Sequence, residues 1–160
     1  MGLRFPDQIL GQCFFVTTTF RNREKLGKIK GFYEFIIKSL DFCIKKYDAR
    51  LPGYVLMPSH IHLLMVIKGE DLSNFMRDFK KYVAQKVVKD LNIKKSGGIW
   101  MPRFDRVAVY TESVFRTKLN YIHNNPVKSG LVEEPEDWQW SSAKEYFSEA
   151  SGLIEVWKDW

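Results

Sequence analysis

Tyr54-Val55-Leu56-Met57-Pro58-Ser59-His60-Ile61-His62-Leu63-Leu64 places two apolar runs on either side of Pro58-Ser59. Runs of β-branched and aromatic residues around a Pro-Ser pair read as two strands, Ala49 to Met57 and Ile61 to Ile67, joined as a hairpin. Strand residues i and i+2 point to the same face, so His60 and His62 project side by side. Two adjacent imidazoles are a natural pair of metal ligands. The alternative is structural: His60 caps the turn and His62 is a satisfied polar residue on a half-buried strand.

The rest of the chain supplies partners for that hairpin. Cys13-Phe14-Phe15-Val16-Thr17-Thr18-Thr19-Phe20 reads as a first strand. From Phe32 to Tyr47, apolar residues at three-to-four spacing predict an amphipathic helix. A second helix is predicted over Asp71 to Leu91, with Leu72, Phe75, Met76, Phe79, Val83, Val87 and Leu91 as its buried stripe and Asp71 or Ser73 as its cap. Trp100 to Tyr110 reads as a fourth strand, weakened by Pro102. Thr111 to Asn124 reads as a third helix, capped by Thr111 or Ser113 and stopped at Asn124-Asn125-Pro126. The order β-α-β-β-α-β predicts an α+β fold of the ferredoxin-like, split βαβ kind: an antiparallel sheet with helices packed on one face.

At 160 residues, with 45% hydrophobic and 28% charged residues, the chain reads as an ordered globular protein. No apolar run is long enough to span a membrane, and Met1–Asp7 lacks a secretory signal layout. Cys13 and Cys43 sit in apolar contexts without metal-type spacing, as reduced thiols of a cytoplasmic protein would. The net charge of +6 is uneven: residues 1–130 carry 23 Lys and Arg against 11 Asp and Glu, and residues 131–160 carry 2 against 8. We divide the chain accordingly into a basic body, 1–130, and an acidic, tryptophan-rich extension, 131–160, expected to pack on the same domain. A strongly basic body is the footprint of a polyanion partner, nucleic acid first.

Tyr121 and Asn125 lie four residues apart, on one face of the third helix. A tyrosine hydroxyl, with its ordinary pKa of about 10, needs an activated electrophile to act as a nucleophile at neutral pH. A metal held by His60, His62 and the Asn125 oxygen would polarise a phosphodiester before it. Alternatively Tyr121 is a core aromatic and Asn125 a helix cap. No Asp or Glu lies between Tyr54 and Ile67 or between Ser113 and Leu131, so the carboxylates of a water-activating nuclease are missing there. His123, about 200° around the helix from Tyr121, is expected to face away from it as a structural or DNA-contacting residue.

Met57-Pro58-Ser59-His60-Ile61-His62-Leu63-Leu64 resembles the histidine-hydrophobe-histidine (HUH) motif of single-tyrosine transposases of the insertion sequence 200/605 type. Phe20-Arg21-Asn22-Arg23, Ile99-Trp100-Met101-Pro102-Arg103-Phe104 and Tyr121-Ile122-His123-Asn124-Asn125-Pro126-Val127 resemble segments of the REP-associated tyrosine transposases. Gly130-Leu131-Val132-Glu133 and Glu136-Asp137-Trp138-Gln139-Trp140-Ser141-Ser142 follow in the same order. The resemblance implies cleavage and strand transfer on single-stranded DNA bearing imperfect hairpins. Tyr121 would be the nucleophile, forming a 5′-phosphotyrosine, and His60, His62 and Asn125 the ligands of Mg²⁺ or Mn²⁺. It also leaves room for a homodimer that shares active sites. The competing reading is a non-catalytic module for structured single-stranded DNA or RNA.

The expected nucleic-acid contacts are Arg21 and Arg23 after the first strand, Arg77, Lys80, Lys81, Lys94 and Lys95 along the second helix and its loop, and Arg103. Trp100 and Phe104 flank Arg103 either as core residues or as stacking platforms for unpaired bases.

Overall fold

The computed structural model describes residues 12–160. The expectation for Met1–Asp7 falls outside the described residues. Strand β1 (Cys13–Thr19) leads through two single helical turns to α1 (Phe32–Lys46). The hairpin β2 (Arg50–Leu56) and β3 (His60–Val66) follows, then α2 (Gly69–Leu91), β4 (Asp105–Ala108) and α3 (Glu112–Lys128). The last regular element is α4 (Ala143–Phe147). The sheet runs β2-β3-β1-β4 with every neighbouring pair antiparallel, the α+β split βαβ arrangement that the element order predicts.

Alternation along the strands divides the core in two. Val16, Leu56, Ile61, Leu63 and Met65 point to one face, where the apolar stripes of α1 and α2 cover them. Phe15, Val55, Leu64 and Val66 point to the other, where Phe115, Leu119 and Ile122 of α3 meet them. The predicted layer of helices on one face thus holds α1 and α2, and α3 packs on the opposite side. Gly53 makes that approach close: a Cβ there would lie 2.6 Å from Leu119 Cδ1. The face under α3 carries the even-numbered residues of β3, His60 and His62 among them.

Three elements differ from the sequence reading by more than one residue at an end, each for a local reason. Helix α2 begins at Gly69, two residues early, and neither Asp71 nor Ser73 caps it; Glu70 and Asp71 instead sit in the first turn, against the positive end of the helix dipole. Only Asp105–Ala108 of the predicted fourth strand pairs continuously with β1. Trp100 makes one isolated bridge, to Phe20 just past β1, and between that bridge and Asp105 the chain carries two more residues than the stretch it faces. Pro102 falls in this excess, so the segment bulges away from the sheet.

Helix α3 does not stop at Asn125-Pro126 but runs on to Lys128 with Pro126 inside it. Its real stop is Gly130, at φ +74°. Gly130 N–H donates to Val127 O and Leu131 N–H to Pro126 O, the paired bonds of a Schellman ending. The expected cap at the other end is present: Thr111 accepts a bond from Val114 N–H.

The acidic segment lines the outer edge of β2. Trp140 O accepts from Leu56 N–H, Ser142 N–H donates to Tyr54 O, and Trp157 N–H donates to Leu51 O. Ile154 and Val156 enter the core under α1 and α2, and Trp157 and Trp160 pack against the α3 side. Among the described residues no helix is long and apolar enough to cross a membrane.

Candidate functional site

The β2–β3 turn is a two-residue loop closed by Met57 N–H to His60 O at 2.8 Å. Pro58 O accepts from Gly27 N–H and Ser59 O from Phe20 N–H, so the turn is held against the end of β1. This fixes His60 opposite Thr19 and His62 opposite Thr17. The two imidazole centroids are 4.8 Å apart. Each ring has its Nδ1 occupied, His62 by Thr17 Oγ1 at 2.9 Å and His60 by Ser59 Oγ at 3.1 Å.

That leaves the Nε2 atoms, and His62 Nε2 is buried without a hydrogen-bond partner. An orphaned buried imidazole nitrogen is costly unless something binds it. Burial pushes the His62 pKa down to about 3, helped by the charges of His60 and Lys118, and His60 is lowered by burial and by Arg23. Both imidazoles are therefore neutral at physiological pH, the form that ligates a metal.

Helix α3 brings Tyr121 over His62. Its ring lies 5.2 Å from the His62 ring and 5.9 Å from Phe15, edge-on to both. Tyr121 is 45% exposed, so it is no core aromatic. Asn125, one turn on and 8% exposed, follows on the same helical face, with Ser129 Oγ 3.5 Å from its Oδ1. Among the described residues no three His, Cys, Asp or Glu side chains cluster for a metal; the Asn125 amide is a further oxygen donor carried by α3. Two neutral imidazoles, one with an unsatisfied buried nitrogen, and an amide oxygen are a chemically suitable set for such an ion.

His123 faces the other way, as its angle around the helix predicts. It is 2% exposed, and its Nε2 lies 2.8 Å from Ser142 Oγ in the acidic segment.

Beside the histidines the bulge between Trp100 and Asp105 opens a groove of about 760 Å³. Thr17 and Thr19 form its floor, with Asn22, Arg23, Pro102, Arg103 and Asp105 around it. Of the eight predicted nucleic-acid contacts, only Arg23 and Arg103 meet there. Arg21 does not line it; its guanidinium packs against Gly97. Lys95 pairs with Glu24, and Lys80 donates to Met101 O at 2.8 Å, so both hold the protein's own loops. Arg77 is bonded to Asn74 and Asp78 on α2, across the sheet from the histidines; Lys81 and Lys94 are exposed.

Trp100 is core, not a stacking platform. Its ring packs on Phe20 and Phe79, and its Nε1–H donates to Lys80 O. Phe104 likewise packs against the α1–α2 core.

Three residues in or beside the site escape the sequence reading. Thr17 becomes visible only through the strand register. Asp105 also pairs with Thr17, which puts it on the same face as His62, two strands or about 10 Å away. Lys118 lies one turn before Tyr121, a spacing that helical periodicity offers once Tyr121 is chosen.

Residues 13–125 match the family described as Transposase IS200 like. A REP-associated tyrosine transposase of Escherichia coli (strain K12) is 26% identical over 136 residues, covering 84% of this chain and 78% of that protein. A Haemophilus influenzae protein given the same name provisionally is 29% identical over 146 residues, 85% of this chain and 82% of its own length. Among solved structures, one described as a REP-associated tyrosine transposase bound to a REP hairpin shares the fold, with a TM-score of 0.72 at 23% identity. The match covers 99% of this chain and 93% of that one.

Proposed function

The chain belongs to the IS200-like transposase family, and from that premise we propose that it cuts and rejoins single-stranded DNA at hairpin-bearing sites through a covalent 5′-phosphotyrosine on Tyr121. The observation that carries this reading is the unpartnered, buried Nε2 of His62 with the exposed Tyr121 ring 5.2 Å from the imidazole. An electrophile-activating position and an accessible nucleophile come from different elements and meet at one point.

His60 and His62 through Nε2, and Asn125 through its amide oxygen, would hold Mg²⁺ or Mn²⁺. Such an ion, when bound, withdraws electron density from a phosphate oxygen and stabilises the charge that develops on it. Everything else is done by the chain. Thr17 and Ser59 fix the imidazole rings through Nδ1, and α3 holds the Tyr121 hydroxyl where a strand can reach it. The phenolic oxygen forms a bond to phosphorus, the bond from phosphorus to the 3′ oxygen breaks, and the phenol proton passes through solvent to that leaving oxygen. The product ends are a 5′-phosphotyrosine and a free 3′-hydroxyl. Since one phosphodiester replaces another, a second 3′-hydroxyl rejoins the strand without a nucleotide cofactor. Arg23 and Arg103 would hold the phosphates of the unpaired strand in the groove beside the site.

The test is a denaturing gel of labelled single-stranded oligonucleotides carrying imperfect hairpins and randomised flanks, with Mn²⁺. Wild type should give a covalent adduct, and Tyr121→Phe should give none while binding the same DNA within about twofold. An adduct that survives in the variant removes Tyr121 from this role. Tight binding with no adduct from wild type would instead support a non-catalytic module.

A further inference from the structure

Lys118 is placed where the charge of a reacting phosphate would fall. Its ammonium lies 4.6 Å from the centroid of Phe15. The same ring stacks on His62 at 5.3 Å and takes the edge of Tyr121 at 5.9 Å. Lysine, imidazole and phenol therefore converge on one aromatic face of the sheet.

The other lysines seated over aromatic rings differ from it in one respect. Lys46 also bonds Asp78, Lys80 bonds Met101 O, and Lys158 bonds Glu145 O. Lys118 has neither an ion-pair nor a hydrogen-bond acceptor among the described residues, and its contact with the Phe15 ring leaves its three N–H donors free. It is half-buried and comes from the same helix as Tyr121, so the two move together. A half-buried cation with unused donors, one turn from a nucleophile, suits an anion held between them.

We propose that Lys118 is a catalytic residue of the strand-cutting step, its ammonium contacting a non-bridging oxygen of the scissile phosphate as Tyr121 attacks. The inference rests on the reading of Tyr121 as nucleophile. During attack the phosphoryl oxygens gain negative charge, which a fixed cation stabilises more in the transition state than in the bound substrate. When the strand is rejoined, the same cation faces the same phosphoryl group in reverse. Lys118 neither gives nor takes the proton that passes from phenol to leaving oxygen.

The test compares wild type, Lys118→Met and Lys118→Arg on the hairpin oligonucleotides at saturating DNA with Mn²⁺. Lys118→Met should slow adduct formation by about 10²–10³-fold, the usual effect of losing one transition-state donor, with DNA affinity within about threefold. Lys118→Arg, which keeps a cation and N–H donors, should recover at least tenfold of that loss. A Lys118→Met variant that forms the adduct at the wild-type rate, or loses only affinity, overturns the proposal and leaves the Tyr121 reading standing. A loss of rate that arginine does not recover also overturns it, pointing to packing on Phe15. If wild type forms no adduct, or Tyr121→Phe still does, the nucleophile reading fails and this proposal fails with it.

Discussion

Thr17 Oγ1 lies 2.9 Å from His62 Nδ1, and the strand register makes the two residues direct cross-strand partners. When Nδ1–H donates to the hydroxyl, Nε2 keeps a free lone pair; the other tautomer would bury an N–H without an acceptor. Thr17→Val keeps the shape and removes the oxygen. On the metal reading, the Mn²⁺ concentration giving half-maximal adduct formation should rise about 10–100-fold, as for lost outer-shell partners of ligating histidines. Thr17→Ser should stay near wild type. Unchanged Mn²⁺ binding by the valine variant, measured directly by calorimetry, would remove Thr17 from this role.

His123 makes stability depend on pH. Burial pushes its pKa down to about 4 from an ordinary 6.5, because the ring is enclosed by Tyr146, Phe147 and Ser142. The unfolded chain therefore binds a proton below about pH 6.5 that the folded chain refuses until about pH 4. The stabilising contribution is complete above that upper limit and is lost as pH falls between the two, on the order of 3 kcal/mol over the whole interval. In urea unfolding at stepped pH, His123→Gln should flatten this slope by up to one proton. Glu145, raised by burial, titrates in both proteins and cancels from the difference. Parallel slopes would show that the ring is not enclosed in solution.

Much of the fold was legible because its signals are local. The stripe Leu72–Val87 and the short apolar run Ile61–Val66 each declare an element without knowledge of its neighbours. The site was half legible for the same reason: His60 with His62, and Tyr121 with Asn125, are pairs set by strand and helix periods. What joins the pairs is not local. Thr17 meets His62 only through a register between residues 45 apart. Lysines that looked alike in sequence were divided by tertiary partners, Lys95 taken by Glu24 and Lys118 left over Phe15. Pro126 misled because a pre-proline position usually ends a helix; here buried packing of Ile122 and Pro126 carries α3 through it to Gly130.

The acidic segment is expected to act as structure rather than as a competitor for DNA. It covers the open edge of β2 and fills core positions with Ile154 and Val156. A chain ending at Leu131 bares that edge and empties those positions, and should lose its cooperative thermal transition. Ile154→Ala, a milder change, should cost about 2–4 kcal/mol in urea unfolding. A shortened chain that folds and binds DNA more tightly at low salt would reverse this assignment in favour of electrostatic restraint.

Arg23 and Arg103 separate the groove from the general basic surface. They line one opening beside His60 and His62, while Arg77 sits across the sheet with its guanidinium already bonded to Asn74 and Asp78. All three count equally in the net charge, so only contact with phosphates distinguishes them. Each single-strand phosphate contact contributes about 0.7 to the slope of log affinity against log salt. Arg103→Ala and Arg23→Ala should each lower that slope by about this amount on a hairpin oligonucleotide with an unpaired flank. Arg77→Ala should leave it unchanged. Equal losses from all three would mean that the strand is held by diffuse charge and that the groove has no special claim on it.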